Sequence, residues 1–304
     1  MKNISDNGVV AVVVTYQPVM ELLEQLLDIL TPQVAKIVVV DNGSVSDLTL
    51  LSNQRKFQNI EIIPWSENKG IAAAHCLGIE RAREYNAEFV LLMDQDSIPE
   101  ADMVSQLLGA INQKIALGIN VAAAGPRYVD ERNVNHPSFI RVTGFNAVKG
   151  GCERSGEIID SDMIISSGCM IPLSVLEKVG DPIIDLFIDQ VDIEWCLRAK
   201  KIGYQSYVVC DAKMRHSLGE EPKKLLNRKI LHHSPLRHYY IFRNAVWLLF
   251  KNYVPLGWKF LLVRTILFRF VIYVCGVFPR LTYLKMMSLG IWHGLTGRLG
   301  KFEN

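Results

Sequence analysis

A chain of 304 residues with 49% hydrophobic side chains can bury a large core; it exceeds the roughly 200–250 residues of a large single α/β domain, so one α/β core with an appended segment fits better than two equal domains. Its 33 basic and 31 acidic side chains leave a net charge of +2, which excludes a general attraction to nucleic acid. That balance hides a skew, because between 223 and 301 nearly every charged side chain is basic.

The first apolar run, VVAVVV at 9–14, reads as a strand ended by Thr15-Tyr16-Gln17-Pro18. Leucines at helical spacing then predict a helix over 19–30. KIVVVDNGS is a strand running into turn residues, after which Ser46 or Asp47 can cap a helix towards Phe57. A third strand, IEIIPW, leads through Glu67-Asn68-Lys69-Gly70 to an Ala-rich helix over about 71–85. A fourth, FVLLM, runs into Asp94-Gln95-Asp96-Ser97; Pro99 is expected to open a helix to about Ala116, and VAAAGPRYV is a fifth strand. Residues 133–157 read as loops or a short hairpin, followed by a strand, turn and helix in MIISSGCMIPLSVLEKVG, an acidic block and the strand YQSYVVC before His216. The pattern predicts an α/β fold with a mainly parallel sheet covered on both faces. The six cysteines are scattered without a C-x-x-C pair, which predicts reduced, buried thiols. The polar opening MKNISDNG before an ordinary strand predicts no signal peptide and a protein that stays inside the cell.

In such sheets ligands bind at the carboxyl ends of the strands. Thr15-Tyr16, Asp41-Asn42, Asn68 and Asp94-Gln95-Asp96 stand at four successive ends. A hard cation such as Mg²⁺ or Mn²⁺ takes one or two carboxylates and completes its shell with phosphate oxygens and water, which suits the paired acids Asp94 and Asp96 and a diphosphate-bearing ligand. A D-x-D triplet is also good turn and capping chemistry, and only its place in line with the other strand ends favours the metal reading. Asp41 can accept from the ring N–H of a uracil or thymine, or serve as a turn residue. Asn68-Lys69-Gly70 precedes a helix N-terminus that favours phosphate, and Asn68 is equally a helix cap.

Farther along, Asp189-x-x-Asp192-x-Glu194 supplies a second set of acids. If all three lay in a helix, Asp189 and Asp192 would share a face and Glu194 would point elsewhere. Asp192 is the preferred general base for an acceptor hydroxyl, against the alternative of acids at a solvated helix start. A lone His216 is more often a partly buried residue than a ligand. Arg198 and Arg215 can neutralise phosphate or pair with nearby acids.

Taken together, VVVTYQP, VVVDNGS, ENKGIAAA, LLMDQDS, SSGCMIP, FIDQVDIEWCLR and RHSLG carry a resemblance over about residues 9–245. The chain resembles the family 2, GT-A-fold bacterial glycosyltransferases, and within them the rhamnosyltransferases of O-antigen and cell-surface polysaccharide synthesis. The resemblance implies a GT-A catalytic domain over 1–234 and inverting transfer of a sugar. It gives Thr15, Tyr16 and Asp41 to the base, Asp94 to the ribose, and Asp96 to the metal with His216 as a further ligand. Asp192 becomes the general base with Asp189 beside it, and Ser167-Gly168 a turn lining sugar and acceptor, where Glu194 is also placed. Gln95, where many relatives carry Asp or Ala, is a bystander in this reading.

The segment 235–304 is aromatic, apolar and interrupted by Arg and Lys. A spanning helix over 258–278 would bury Lys259, Arg264 and Arg269, so a helix lying in the membrane interface is favoured, with a core or oligomer helix pair as the alternative. The expected activity is transfer of L-rhamnose from dTDP-rhamnose to a lipid-linked saccharide, with Mg²⁺ or Mn²⁺ as cofactor, at the inner face of the cytoplasmic membrane. Another UDP- or dTDP-sugar donor, or a non-catalytic nucleotide-sugar-binding protein, are the alternatives. A nucleotidyltransferase is disfavoured by the lack of a Gly-rich, basic loop after the first strand.

Overall fold

The computed structural model describes residues 8–53, 58–129, 139–216, 223–225, 228–230 and 233–303. Strands β1 (Val9–Thr15), β2 (Lys36–Asp41), β3 (Ile60–Pro64) and β4 (Phe89–Asp94) run parallel in the spatial order β3-β2-β1-β4. Their β-branched runs alternate across the sheet: Val9, Ala11 and Val13 join one core cluster, and Val10, Val12 and Val14 the other. Helices α1 (Met20–Leu30) and α3 (Met103–Ala116) supply the first cluster; α2 (Ile71–Glu84), α4 (Leu173–Val179) and α5 (Val191–Lys201) supply the second. Two buried faces explain why these strands read as continuous apolar runs.

Beyond β4 the sheet continues through β10 (Cys169–Pro172), β6 (Val121–Val129), β11 (Gln205–His216) and β5 (Ser97–Pro99). Strand β10 is antiparallel to both neighbours, so β6 and β11 run in the same direction as β1 and β4. Strand β9 (Ile158–Ser161) pairs with β11, while β7 (Phe139–Thr143) and β8 (Asn146–Gly150) form a separate hairpin inside the segment read as loops or a short hairpin. Strands β12 (Lys223–Leu225) and β13 (Arg228–Ile230) form a further antiparallel pair.

Three local expectations change. The helix expected towards Phe57 is a 3-10 helix over Leu48–Asn53, and its remainder, 54–57, lies outside the described residues. Pro99 ends a strand rather than opening a helix, because Ser97 and Ile98 pair with His216 and Arg215, and α3 starts only at Met103. The cysteines are not all thiols: Cys152, in the loop after β8, is brought onto β11 and bonded to Cys210. Ser155 and Gly156 donate to Asp211 at the same place, so the loop lies on β11 independently of the sulfur bridge. Cys169 and Cys196 are buried thiols as expected, and Cys275 is exposed.

The chain ends in α6 (Pro235–Leu249), α7 (Leu256–Gly276) and α8 (Arg280–Thr296). Ser234 caps α6 by accepting from the Arg237 N–H, with Pro235 in the first turn where its missing donor costs nothing. Gly290 and Gly294 let α8 lie directly on α6, since a Cβ there would come within 2.5 Å of the Tyr239 and Arg243 carbonyl oxygens. The three helices share a cluster with Leu197 of α5. Much of this segment is therefore core, as the alternative reading had it.

Two buried side chains of α6, Arg243 and Asn244, reach across to the loop before α5. Asn244 Nδ2 donates to the carbonyls of Leu186, Ile188 and Asp189, each at 2.8–2.9 Å. Arg243 Nη2 donates to Asp185 and Leu186, and its Nη1 to Gly300. Replacing Asn244 by Leu would strand buried carbonyls, and we expect a loss of about 2–4 kcal/mol in urea unfolding. Hydrogen exchange over 185–192 should accelerate more than exchange in β1.

Candidate active site

The register of the central strands brings the polar ends together. Thr15 lies opposite Asp41, and Val14 opposite Asp94, so the ends of β2, β1 and β4 stand side by side. Thr15 Oγ1 donates to Asp41 Oδ1 at 3.0 Å, and Ser44 donates to the same oxygen through its hydroxyl and backbone. Three donors thus fix Asp41 through one oxygen, with Oδ2 outside that net. Tyr16, the next residue after Thr15, is 49% exposed.

Gln95 is not a bystander. Its side chain accepts from the Tyr16 N–H at 2.7 Å and donates to the Tyr16 carbonyl at 3.1 Å, clamping the end of β1 to the end of β4. Asn68 does not cap α2, whose N-cap is Gly70 at φ +90, a conformation suited to glycine; a Cβ there would also strike Phe187. Instead Asn68 Oδ1 accepts from Asn42 Nδ2 and the Gly70 N–H, while Asn42 Oδ1 accepts from the Lys69 N–H. This ties the end of β2 to the approach of α2.

Ser167 is 1% exposed. Its hydroxyl accepts from the Asp94 N–H at 3.1 Å and shares a 2.6 Å hydrogen bond with Ser97. The residue expected to line sugar and acceptor is therefore a buried brace under the Asp94–Ser97 turn. Gly168, at φ +81, packs where a Cβ would meet Pro126 at 2.6 Å. Glu194 is also corrected: it is fully buried and held by both Nε and Nη2 of Arg198, facing away from the other acids. Arg198 spends its remaining donors on the carbonyls of Val179 and Asp181, so it is a structural arginine.

Asp189 and Asp192 do not share a helix face. Helix α5 starts at Val191, and Asp189 lies before it in a turn where Phe187, Asp189 and Gln190 have φ of 64, 63 and 65°. Asp189 is paired with Arg237 of α6, whose Nε and Nη2 lie 3.2 Å from its oxygens. Asp192 is half-buried in the first turn of α5, with Ile193 N–H on Oδ1. Burial pushes Asp192 up to about 6; the Ile193 hydrogen bond opposes this, and the charges of Asp189 and Asp94 add to it. Burial, then the Asp96 charge, pushes Asp94 up to about 7, with Arg237 pulling it down. These mutual effects place Asp94, Asp96, Asp189, Asp192 and Arg237 in one electrostatic cluster. Arg237 was missed in the sequence, where nothing marks its approach to Asp189 48 positions earlier.

Among the described residues no group of three or more His, Cys, Asp or Glu side chains is assembled to hold a metal. The cluster still fits a hard cation that takes few protein ligands, because Asp96 and Asp94 are oxygen donors whose mutual repulsion a cation relieves. The His216 side chain lies outside the described residues; its backbone stands opposite Ser97, next to Asp96.

The family model for glycosyl transferase family 2 matches residues 9–171, more than half of the chain and all of the strand ends from Thr15 to Ser167. The chain belongs to glycosyl transferase family 2. The dTDP-rhamnosyl transferase RfbF of Shigella flexneri is 32% identical over 97% of this chain and 98% of that protein. The galactofuranosyltransferase GlfT1 of Mycobacterium tuberculosis is 25% identical over 84% of this chain and 90% of that one. Among solved structures, GalNAc-T7 with UDP, GalNAc and Mn²⁺ superposes with a TM-score of 0.60 at 12% identity, covering 95% of this chain and 56% of that one. S. aureus TarS 1-349 gives 0.52 at 14% identity over 95% and 72%. These likenesses show the GT-A fold, and family membership makes the chain a glycosyltransferase.

Because Asp94 titrates near 7 in the fold and near its ordinary value when unfolded, its ionisation costs stability as pH rises through that window. The Asp94→Asn variant should therefore melt above the native protein by a margin that grows from pH 4 to pH 7 and then levels. A margin independent of pH would show that Asp94 is not raised.

Proposed function

We propose that this family 2 enzyme transfers L-rhamnose from dTDP-rhamnose, with inversion and with a divalent cation, to a lipid-linked saccharide. The observation that carries the chemistry is Asp192, held near a pKa of 6 in the same cluster as Asp94 and Asp96. A carboxylate with that affinity can take a proton near neutral pH and still be ionised before the reaction. Whole-length similarity to the Shigella rhamnosyl transferase supports the donor.

In this reading Tyr16 and Asp41 receive the thymine, the Asp41 Oδ2 accepting its ring N–H, with Thr15 holding Asp41 in place. Asp94 meets the ribose, and Asn68 orders the approach to the α2 N-terminus near the diphosphate. Asp96, with His216, would hold Mg²⁺ or Mn²⁺, which when bound neutralises charge on the diphosphate leaving group. Asp192 takes the proton of the acceptor hydroxyl as that oxygen bonds to the anomeric carbon. The bond from that carbon to the diphosphate oxygen breaks, and the nucleoside diphosphate leaves with the electron pair. Direct displacement by a single carboxylate base gives inversion. Asp189, anchored by Arg237, adds negative charge that keeps Asp192 basic. We take residues 1–234 as the catalytic domain and 235–304 as a helical extension on which it depends through Arg237, Arg243 and Asn244.

A screen of nucleotide sugars for thermal stabilisation in Mn²⁺ or Mg²⁺ tests the donor; dTDP-rhamnose should give the largest shift. A larger shift with another UDP- or dTDP-sugar would keep the enzyme class and replace the sugar. Asp192→Asn should lower transfer by about 10²–10⁴-fold while leaving metal-dependent donor binding intact. Asp96→Ala should abolish transfer and weaken that binding as well. In the native enzyme kcat/KM should fall as pH drops below about 6, where Asp192 becomes protonated; normal turnover by Asp192→Asn would remove it from the base role.

A further inference from the structure

Helix α7 is apolar on two sides, and the protein uses one of them. Trp258, Leu261, Leu262, Ile266 and Tyr273 are buried against the rest of the fold. Around the other side Phe260, Leu267, Phe268 and Val271 recur at helical spacing and are 49–60% exposed. On α8, which packs beside α7, Leu281 and Trp292 are 80% and 61% exposed. The face continues onto the β7–β8 hairpin, whose Phe145 packs edge-on against Phe260 at 5.8 Å and is itself 66% exposed. No described residue covers this surface.

Its charges point to one kind of occupant. From 222 to 302 the sequence holds no Asp or Glu. Lys259, Arg264, Arg269, Arg280 and Lys285 lie on or beside the face, and none makes an ion pair with a described residue. Pairing this face with a second copy of itself would bring cations against cations, with no acid on either helix to compensate. An anionic lipid surface accepts both features: headgroups match the cations, and the acyl boundary takes the aromatic and aliphatic side chains. Among the described residues no helix is long and apolar enough to cross a membrane.

We infer that the outward face of α7 and α8, with the tip of the β7–β8 hairpin, docks on an anionic bilayer with α7 lying along its surface. The hairpin then connects the lipid to the active-site region. Its Ile140 lines a small open crevice together with Tyr128. The Tyr128 hydroxyl, already raised by burial, is raised further by the charge of Asp192. An acceptor held at the membrane would be presented on the side where the base stands. The docking itself stands on the face alone and does not depend on the donor or the reaction.

The test is co-sedimentation of the purified full-length protein with phosphatidylcholine vesicles, with and without phosphatidylglycerol, at low and high salt. Binding should be roughly ten-fold or more stronger on the anionic vesicles and should weaken with salt. The double substitution Leu267→Glu and Phe268→Glu should lower it by a similar factor, with melting temperature and stabilisation by nucleotide and metal unchanged. Native protein that ignores anionic vesicles at low salt, or a double variant that binds as well as native, overturns the inference. So does light scattering that shows a dimer which the double variant converts to a monomer without vesicle binding. Because no readout uses a sugar donor or acceptor, failure here leaves the transfer reading untouched, and the reverse holds equally.

Discussion

The loop over 185–189 has few ways to satisfy its own backbone, and two side chains of α6 supply what it lacks. Phe187, Asp189 and Gln190 all lie in the left-handed region, which L-residues enter only when their surroundings enforce it. A chain turning this way points successive carbonyls outward instead of along a helix or ladder. Five donations from Arg243 and Asn244 reach the carbonyls of Asp185, Leu186, Ile188 and Asp189. Arg243 is itself fully buried between Tyr239 and Tyr240, with its guanidinium carbon 4.8 Å from the Tyr240 ring centre. Burial pulls its pKa down and the tyrosines oppose that shift. The arrangement uses a guanidinium for its fork of fixed donors rather than as a salt-bridge partner.

Asp189 and Asp192 stand where this clamp puts them, and their electrostatics follow. Four carboxylates gather with Arg237 in a region partly withdrawn from water. Such a cluster is unfavourable for folding, since burial and like charge both resist ionisation. The fold tolerates it because the neighbouring groups are fixed by hydrogen bonds from elsewhere: Gln95 on Tyr16, Ser167 on the Asp94 N–H, and Thr15 and Ser44 on Asp41. Asp192 is raised in part by the charges of Asp189 and Asp94, and Asp94 in part by that of Asp96, so a cation that neutralises Asp96 removes one of the causes that raise Asp94.

What the sequence made legible was whatever is local. VVAVVV, KIVVVD and FVLLMD announce themselves as buried strands, and the polar residues after each run are recognisable because a parallel sheet lines up its carboxyl ends. The standing of Asp41 and Asp94 at adjoining strand ends could therefore be read from position alone. What stayed hidden depends on contacts between distant segments. Gln95 meets Tyr16 across 79 positions and Ser167 meets Asp94 across 73, so each looked like a bystander or a lining residue. Asp189 was misplaced onto a helix because helical spacing assumes a helix; the left-handed turn leaves no periodic mark. Glu194 was expected near sugar and acceptor, but Arg198, one turn later, holds it in a buried ion pair. Cys152 and Cys210 join a loop to a strand 58 positions away, and spacing alone could not pair them.

The C-terminal helices are where sequence character and structural role diverge most. Their composition suggested an accessory segment, yet α6 reaches both the acid cluster and the loop that carries it. Its first turn carries Arg237 to Asp189, its middle carries Arg243 and Asn244 to the loop, and its far side is fixed by Gly290 and Gly294 of α8. A force or ligand acting on α7 and α8 thus meets the base through a single intervening helix that is packed on both sides. Packed helices transmit displacement rather than absorb it, because the interior has little free volume. The clamp on the loop before Asp192 and the outward apolar face thus belong to one packed helical unit.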